Sequence, residues 1–493
     1  MSFRDLPGYN QVVLPLHFAR AVVAGARYGW PARKMRVIGV TGTNGKTTTC
    51  FMIWKMLSEA GAKVGILTTV GWGGVGASGR SSASEDALFA HRTKSTARSG
   101  ALSSLNSNPD ASDAMKLNKQ VEHMTTMPAG ELNRRIMAIK DAGAEFLVLE
   151  VTSHAMVQFR TLGIPVEIAV MTNVTREHLD YHKTFEKYRA AKCKLFKKAK
   201  FGVINADDKS AGVFEEKIQD YITYSIKKDS DLKAERIELG ADGVKYSCDD
   251  INFVEGRLTE GADKLEIRTQ IPGEFNVYNS LAAVAVGQKI GLTPGQIEAG
   301  IYALTEVEGR MNKVEAGQDF TVVVDYAHQP DAFEKVFKSF EGFNGRIITL
   351  TGGAGRRDKG TRAERGRIAG EKSDVLIITE DDSRDEDPAE IAEAFVRGAL
   401  EAGMARYENG VAELEEKVGS GELKEKLDKK VIVELNRKKA IELAVGLAKT
   451  GDLVLILGKG HEKTILRKDG AHPFEDLKVA KKAIEDRLKK TQK

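Results

Sequence analysis

This chain predicts an α/β fold with two parallel-sheet units, on three observations. Apolar runs of strand length alternate with helical patterns along most of the sequence. One run, VIGVTGTNGKTTT (37–49), passes through a glycine turn straight into a helical pattern. Several other runs end in loops rich in Asp, Glu, Arg and His, which a parallel sheet gathers along one edge.

The 493 residues leave room for about three domains. Hydrophobic residues make up 42% and charged residues 29%, an ordinary globular balance. A net charge of +4 is too small to argue for a nucleic-acid partner, but it allows local basic pockets for small anions. Cys50, Cys193 and Cys248 show no metal-type spacing, and so low a count suits a reducing cytoplasm. No apolar run approaches the ~20 residues of a membrane span. MSFRDLPGYN has no basic region followed by an apolar stretch, so no signal peptide is expected. The expectation is a cytoplasmic monomer without membrane contact.

Residues 1–34 read as a short lead-in with an amphipathic helix over 17–29. A strand (35–40), a helix (46–61) and a strand (63–69) follow. Residues 74–115, rich in Ser, Ala and Gly, predict a long mobile insertion. A helix is expected over 129–142, strands over 145–151 and 167–173, a helix over 184–198 and a strand over 201–206. Residues 221–271 read as antiparallel strands with Asp242-Gly243 as a hairpin turn. Helices 275–291 and 293–304 close a central unit, 35–312. The last unit, 313–493, has strands at 320–327, 346–352, 374–381, 431–436 and 452–459. Its charged stretch 407–430 predicts a solvated helical excursion.

Gly42 and Gly45 would let backbone N–H groups point at a phosphate. Lys46 would reach the terminal phosphates, and the Thr47 hydroxyl suits Mg²⁺. Position 40 is Val where the GxxxxGK[ST] pattern has Gly, so a ligand-free glycine turn is the plain alternative. Glu150 and His178 lie at or just past strand ends, where metal ligands sit; a solvent-facing Glu and a surface His are the bland versions. Lys192 lies in KYRAAKCKLFKKAK, a basic helix in which composition does not set it apart. In the last unit Asp325 and His328, GGAGRRDKG (352–360), EDDSRDEDP (380–388) and GKGHE (458–462) all follow strands. Arg357 and Arg384 suit a carboxylate, while Asp381 and Glu462 suit an ammonium. An amino acid needs both kinds of group.

The ordered set GTNGKTT (42–48), TT (125–126), EVTSHAMVQFR (150–160), TNVTREHLDYH (172–182), YRAAKCKLF (188–196), INADD (204–208), PGEFNVYNSLAA (272–283), GRM (309–311), VVDYAHQPDAFEK (323–335), RDKGTR (357–362), DDSRDEDP (381–388) and GKGHE (458–462) resembles the Mur ligases, and most closely the MurE type of peptidoglycan synthesis. The resemblance runs from Arg36 to Asp476 apart from the insertions. It implies a P-loop central domain, a C-terminal Rossmann-like domain, and ATP-dependent amide formation through an acyl phosphate. Gly42, Thr43, Asn44, Gly45, Lys46, Thr47 and Thr48 would hold ATP, with Asn279, Arg310, Asp325 and His328 at the nucleotide site and domain junction. Thr47, Glu150 and His178 would serve Mg²⁺, and Lys192 would be carbamylated to become an anionic ligand. Lys46, Glu150, His178 and Lys192 would form the catalytic set. Thr125, Thr126, Thr152, Gln158 and Arg160 would bind the UDP-MurNAc-peptide. Arg357, Asp381, Asp382, Ser383, Arg384, Gly458 and Glu462 would bind the incoming amino acid, meso-diaminopimelate or L-lysine.

Three positions depart from the family pattern. Only residues 1–34 stand where the family carries a uridine-gripping N-terminal domain, which makes a separate uridine-binding partner an open alternative. The family's DNPR motif for diaminopimelate reads DDSR (381–384) here. Thr152 stands where Ser is usual. A Mur-type ligase on another acceptor, pseudomurein-type or folylpolyglutamate-like, is the nearest competing reading; a non-catalytic nucleotide-binding subunit is the other.

Overall fold

A computed structural model describes residues 9–75, 117–119, 125–240, 242–254, 257–420 and 427–491. From residue 76 onward, the expected 74–115 insertion lies outside the described residues.

The first sheet has nine strands, in the order Leu117–Lys119, Gly71–Gly74, Val64–Leu67, Phe146–Glu150, Arg36–Thr41, Val166–Met171, Ala199–Asn205, Tyr221–Ser225 and Leu232–Lys233. Only the first two pairings are antiparallel. Central strands this apolar demand cover on both faces, and the period of two divides their side chains. Ile38, Val40, Val148 and Val170 face the helices Lys46–Glu59 and Phe275–Ile290. Val37, Leu147, Leu149 and Met171 face the helix Ala129–Asp141 and the region of Tyr188 and Leu195. The small residues of Phe275–Ile290 and its neighbour Pro294–Tyr302 let helices approach closely. A Cβ on Gly300 would stand 2.5 Å from the Met56 Cα.

Residues 221–271 are not wholly antiparallel as the sequence suggested. Tyr221–Ser225 and Leu232–Lys233 extend the parallel sheet after a crossover through the short helix Ala211–Glu215. Only Glu235–Gly240, Gly243–Val254 and Arg257–Thr269 form a separate antiparallel sheet. Gly243 pairs with Gly240, so it opens a strand and does not sit in the turn. The helix expected over 184–198 stops at Cys193 and resumes as a 3₁₀ turn, Phe196–Lys198. The lead-in helix is longer than expected, Tyr9–Arg27.

The second sheet runs Asn312–Lys313, Thr321–Asp325, Leu453–Leu457, Ile347–Gly353, Val375–Glu380, Lys430–Val433 and Ala405–Arg406, all parallel except the first pair. The hairpin Thr464–Arg467 with Gly470–Pro473 hangs beside it. The excursion expected to be solvated is partly packed: Leu414, in the helix Val411–Ser420, and Leu427 are buried.

Register delivers the functional loops. Val40 pairs with Glu150 and Thr41 with Met171, so residues 42–45, Glu150 and 172–178 leave the first sheet on one edge. In the second sheet Asp325 pairs with Leu457 and Gly353 with Glu380, which aligns the loops after 325, 353, 380 and 457. A buried ion pair holds two of those ends. Arg437 and Asp476 are both 0% exposed, with Nε–Oδ1 and Nη2–Oδ2 at 2.7 Å. The same guanidinium donates to the carbonyls of Glu380 (3.3 Å) and Leu457 (3.1 Å).

Removing one partner of such a pair strands a buried charge. Asp476→Ala is expected to cost about 3–5 kcal/mol in urea unfolding monitored on the C-terminal unit. Arg437→Met/Asp476→Leu should recover most of that loss. A single variant as stable as the parent would contradict this role for the pair.

Candidate active site

The loop 42–45 is clamped from two sides. A Cβ on Gly42 would stand 1.9 Å from Thr172 Oγ1, and one on Gly45 (φ +82°) would stand 2.3 Å from Asn279 Oδ1. The Thr43 amide donates to the Asn173 carbonyl (2.8 Å) and the Asn44 amide to Asn173 Oδ1 (2.9 Å). Thr172 Oγ1 and Asn173 Nδ2 both donate to the Asn44 carbonyl. No side chain caps the helix that starts at Lys46. Its first N–H groups and its positive end are therefore offered to an anion. Lys46 Nζ donates to the Thr43 carbonyl at 2.7 Å, folded over the loop.

Thr47 Oγ1 donates to Glu150 Oε2 at 3.0 Å, and both residues are buried. The same oxygen accepts from the Thr69 amide and hydroxyl, each at 3.1 Å. Arg310 Nη2 reaches Thr47 Oγ1 at 3.3 Å, with its guanidinium over the Tyr326 ring. Lys192, which composition could not distinguish, is the buried lysine of its helix. It is 2% exposed, donates to the Gly42 carbonyl and lies over the Tyr188 ring. Burial and the nearby Lys46 push its pKa well below the usual lysine value, against the opposing pull of Glu177 and Glu150.

Glu177, which sequence reasoning passed over, anchors this corner. Tyr188 donates to its Oε2 at 3.1 Å, and its Oε1 lies 3.6 Å from Nε2 of both His178 and His328. Burial alone would raise its pKa, but His178, His328 and Lys46 hold the carboxyl well below the usual range. The only sequence signal was its place beside His178 in TNVTREH. Behind it His154 stacks edge-on against His178, with ring centroids 4.7 Å apart. Burial, then His178 and His182, push its pKa down to about 2, so the ring is neutral. The Asp325 carboxylate accepts from the Met311 (2.8 Å) and Ala327 (2.7 Å) amides, fixing the junction, and Asn44 Nδ2 reaches across to Asp331 Oδ2 at 2.7 Å.

On the far wall Lys459 lies among Asp381, Asp382 and Glu462, which still line the cleft. Its Nζ donates to Asp382 Oδ1 (2.8 Å), Glu462 Oε2 (2.8 Å) and Asp381 Oδ1 (3.3 Å). Ser383, expected to contact the amino acid, turns away and donates to Glu380 Oε1 at 2.9 Å. Glu380 is also held by Arg467. Arg384 Nη1 donates to the Gly355 carbonyl at 2.7 Å, and its Nη2 lies 3.9 Å from Asp382 Oδ2.

A single cleft of about 550 Å³ joins these groups. Thr43 to Thr48, Thr125, Glu150, Thr152, His178, Asn279, Arg310, Asp325 and His328 line it, as do Arg357, Asp381, Asp382, Arg384, Gly458 and Glu462. Gly42, Lys192, Thr126, Gln158, Arg160 and Ser383 lie outside that lining. Thr126 Oγ1 donates to the Glu150 carbonyl at 3.0 Å. Arg160 is bonded to Gln158 Oε1 and the Thr126 carbonyl.

Residues 40–287 match the Mur ligase middle domain family, and residues 309–460 match the family described as Mur ligase, glutamate ligase domain. A UDP-N-acetylmuramoyl-L-alanyl-D-glutamate–2,6-diaminopimelate ligase of Syntrophomonas wolfei is 34% identical over 478 residues, 96% of this chain and 82% of the relative. A UDP-N-acetylmuramyl-tripeptide synthetase of Roseiflexus is 33% identical over 485 residues, 94% of this chain and 82% of the relative. A solved UDP-N-acetylmuramoyl-L-alanyl-D-glutamate–2,6-diaminopimelate ligase superposes with TM-score 0.53 at 25% identity, covering 92% of this chain and 79% of that one. A folylpolyglutamate synthase of Mycobacterium tuberculosis shares the fold at TM-score 0.61 and 16% identity, covering 90% and 92%. With the phosphate loop and the charged far wall facing one cleft, the chain belongs to the Mur ligase family of ATP-dependent carbon–nitrogen ligases.

Proposed function

We propose that the chain joins meso-diaminopimelate to UDP-N-acetylmuramoyl-L-Ala-D-Glu in peptidoglycan precursor synthesis. The observation that carries this reading is one cleft lined by both an uncapped phosphate loop and the Arg357–Arg384–Glu462 wall. The diaminopimelate-ligase relatives support the choice of substrates.

The acceptor carboxylate attacks the γ-phosphorus of ATP, giving an acyl phosphate and ADP. The amine of the incoming amino acid then attacks the acyl carbon, and inorganic phosphate leaves. Two anions meet in the first step, so positive charge must be placed beforehand. Lys46, Arg310 and the helix N-terminus at Lys46 supply it. The buried pair of Thr47 hydroxyl and Glu150 carboxylate fits Mg²⁺, a hard cation that prefers oxygen ligands, and His178 borders the same space. Bound there, Mg²⁺ would neutralise phosphate charge. Arg357 and Arg384 hold carboxylates of the amino acid. His328 and Asn44, which reach between the two units, help close the cleft against water.

Lys192 is the carbamylation site in this reading. Its buried amine, favoured in the neutral form, adds to the carbon of CO₂ and loses a proton, giving a carbamate. The neutral amine under the loop becomes an anion beside Lys46.

With UDP-MurNAc-L-Ala-D-Glu, ATP and Mg²⁺, phosphate release should depend on meso-diaminopimelate, with a matching mass gain of the acceptor, and not on L-lysine or L-ornithine. Equal release with L-lysine would overturn the diaminopimelate assignment. Silence with all three, from protein that binds ATP, would overturn the acceptor. Lys192→Ala is expected to keep ATP affinity within a few-fold yet lower turnover by on the order of a hundredfold or more. Labelled bicarbonate should give a carbamate carbon resonance in the parent and none in the variant; unchanged turnover would refute the carbamate role.

A further inference from the structure

Lys459 stands behind the far wall and does not line the cleft. Its side chain is 0% exposed, which for a charged lysine requires full compensation. An ammonium has three N–H donors, and here all three are assigned, one each to Asp381, Asp382 and Glu462. Those three carboxylates do line the cleft. One oxygen from each lies within 4.8 Å of the others, a spacing at which three anions repel strongly without a cation between them. Asp382 Oδ1 also accepts from the Leu466 amide at 3.0 Å, so the same ammonium helps hold the hairpin Thr464–Arg467 against the substrate loop.

From this geometry we infer that Lys459 is a positioning residue for the incoming amino acid: an internal counter-ion that sets the orientation and charge of Asp381, Asp382 and Glu462 without touching substrate. The inference rests on the reading of this wall as the amino-acid pocket. Lys459 offsets one of the three negative charges, and Arg357 and Arg384 on the same wall supply two more cations, which suits a ligand carrying ammonium and carboxylate together. Without Lys459 the wall has excess negative charge, repels the substrate carboxylates and frees the three acids to swing or to take up another cation. The consequence falls on amino-acid binding and leaves the nucleotide end untouched. Burial raises the Asp382 pKa, with Asp381 adding to the rise and Lys459 opposing it.

Lys459→Met keeps the stem and deletes the charge. Its KM for the amino acid should rise at least tenfold while its KM for ATP stays within twofold. Lys459→Ala should regain part of the lost affinity in added propylammonium, which fills the vacated slot, and none in propanol. Lys459→Met/Asp382→Asn removes one charge of each sign, which guards against a fold that fails through imbalance alone. It should fold and still bind the amino acid weakly. A separate readout does not depend on the substrate's identity: Mn²⁺ should raise the melting temperature of Lys459→Ala more than that of the parent, because the three carboxylates have lost their internal cation. An amino-acid KM within twofold of the parent in a folded variant would overturn the inference. So would equal Mn²⁺ shifts in parent and variant. If the parent shows no amino-acid-dependent turnover but the Mn²⁺ difference appears, the counter-ion role stands and the ligand assignment of the pocket fails.

Discussion

Burial of the Lys192 side chain beneath the phosphate loop is the constraint on which the central site depends. A charged amine excluded from water must find hydrogen-bond acceptors and opposite charge, or lose its proton. The Gly42 carbonyl supplies the acceptor, while Glu177 and Glu150 supply negative potential. Each arrives from a different strand end, so the requirement is met only when three parallel strands hold their register. The same loop is pressed by Asn279 from behind and by Thr172 from the side. Little freedom is left, and a phosphate meets N–H groups that need no reorganisation.

The second sheet solves a related problem with a different outcome. Lys459 is also buried, but three carboxylates surround it and raise its pKa, so its proton is secure. For Lys192 burial dominates, the nearby Lys46 adds to it, and the pKa falls. Two buried lysines in one chain are thus pushed in opposite directions. The first is suited to react as an amine and the second to remain a fixed charge. Arg437 and Asp476 complete the second arrangement by tying the strands that end at Glu380 and Leu457.

What was legible in the sequence follows from locality. The strand–glycine–helix transition at 37–49 and the apolar strands needed only neighbouring residues to be recognised, and Glu150 could be placed because it ends such a strand. Lys192 was one of several lysines on a basic helix, and only the tertiary position of Gly42 sets it apart. Glu177 and Lys459 were hidden for a related reason: some of their partners, His328 for the first and Asp381 and Asp382 for the second, lie far away in sequence. A loop motif does not reveal which side chains turn inward: Glu380 accepts the Ser383 hydroxyl, and Ser383 lies outside the cleft lining. Gly71–Gly74 has three glycines in four residues and little strand propensity, yet it pairs because Val64–Leu67 offers an edge. Tyr221–Ser225 carries no local mark of parallel rather than antiparallel pairing, which the crossover before it decides.

Two side-chain contacts that cross between the two units near the phosphate loop are polar. They join Asn44 to Asp331 and place His328 by Glu177. Hydrogen bonds of this kind contribute only about 0.5–1.5 kcal/mol each, because water competes for both partners when the cleft opens. Such contacts define the closed geometry without locking it. In the proposed function bound substrates would alter that balance, since the phosphates of ATP would interact with Lys46 and Arg310 while the amino acid would engage Arg357 and Arg384. An acyl phosphate between the two walls would be attracted from both sides, so the closed state is favoured most when the intermediate is present. Water is then kept from the acyl carbon at the stage when hydrolysis would compete with amide formation.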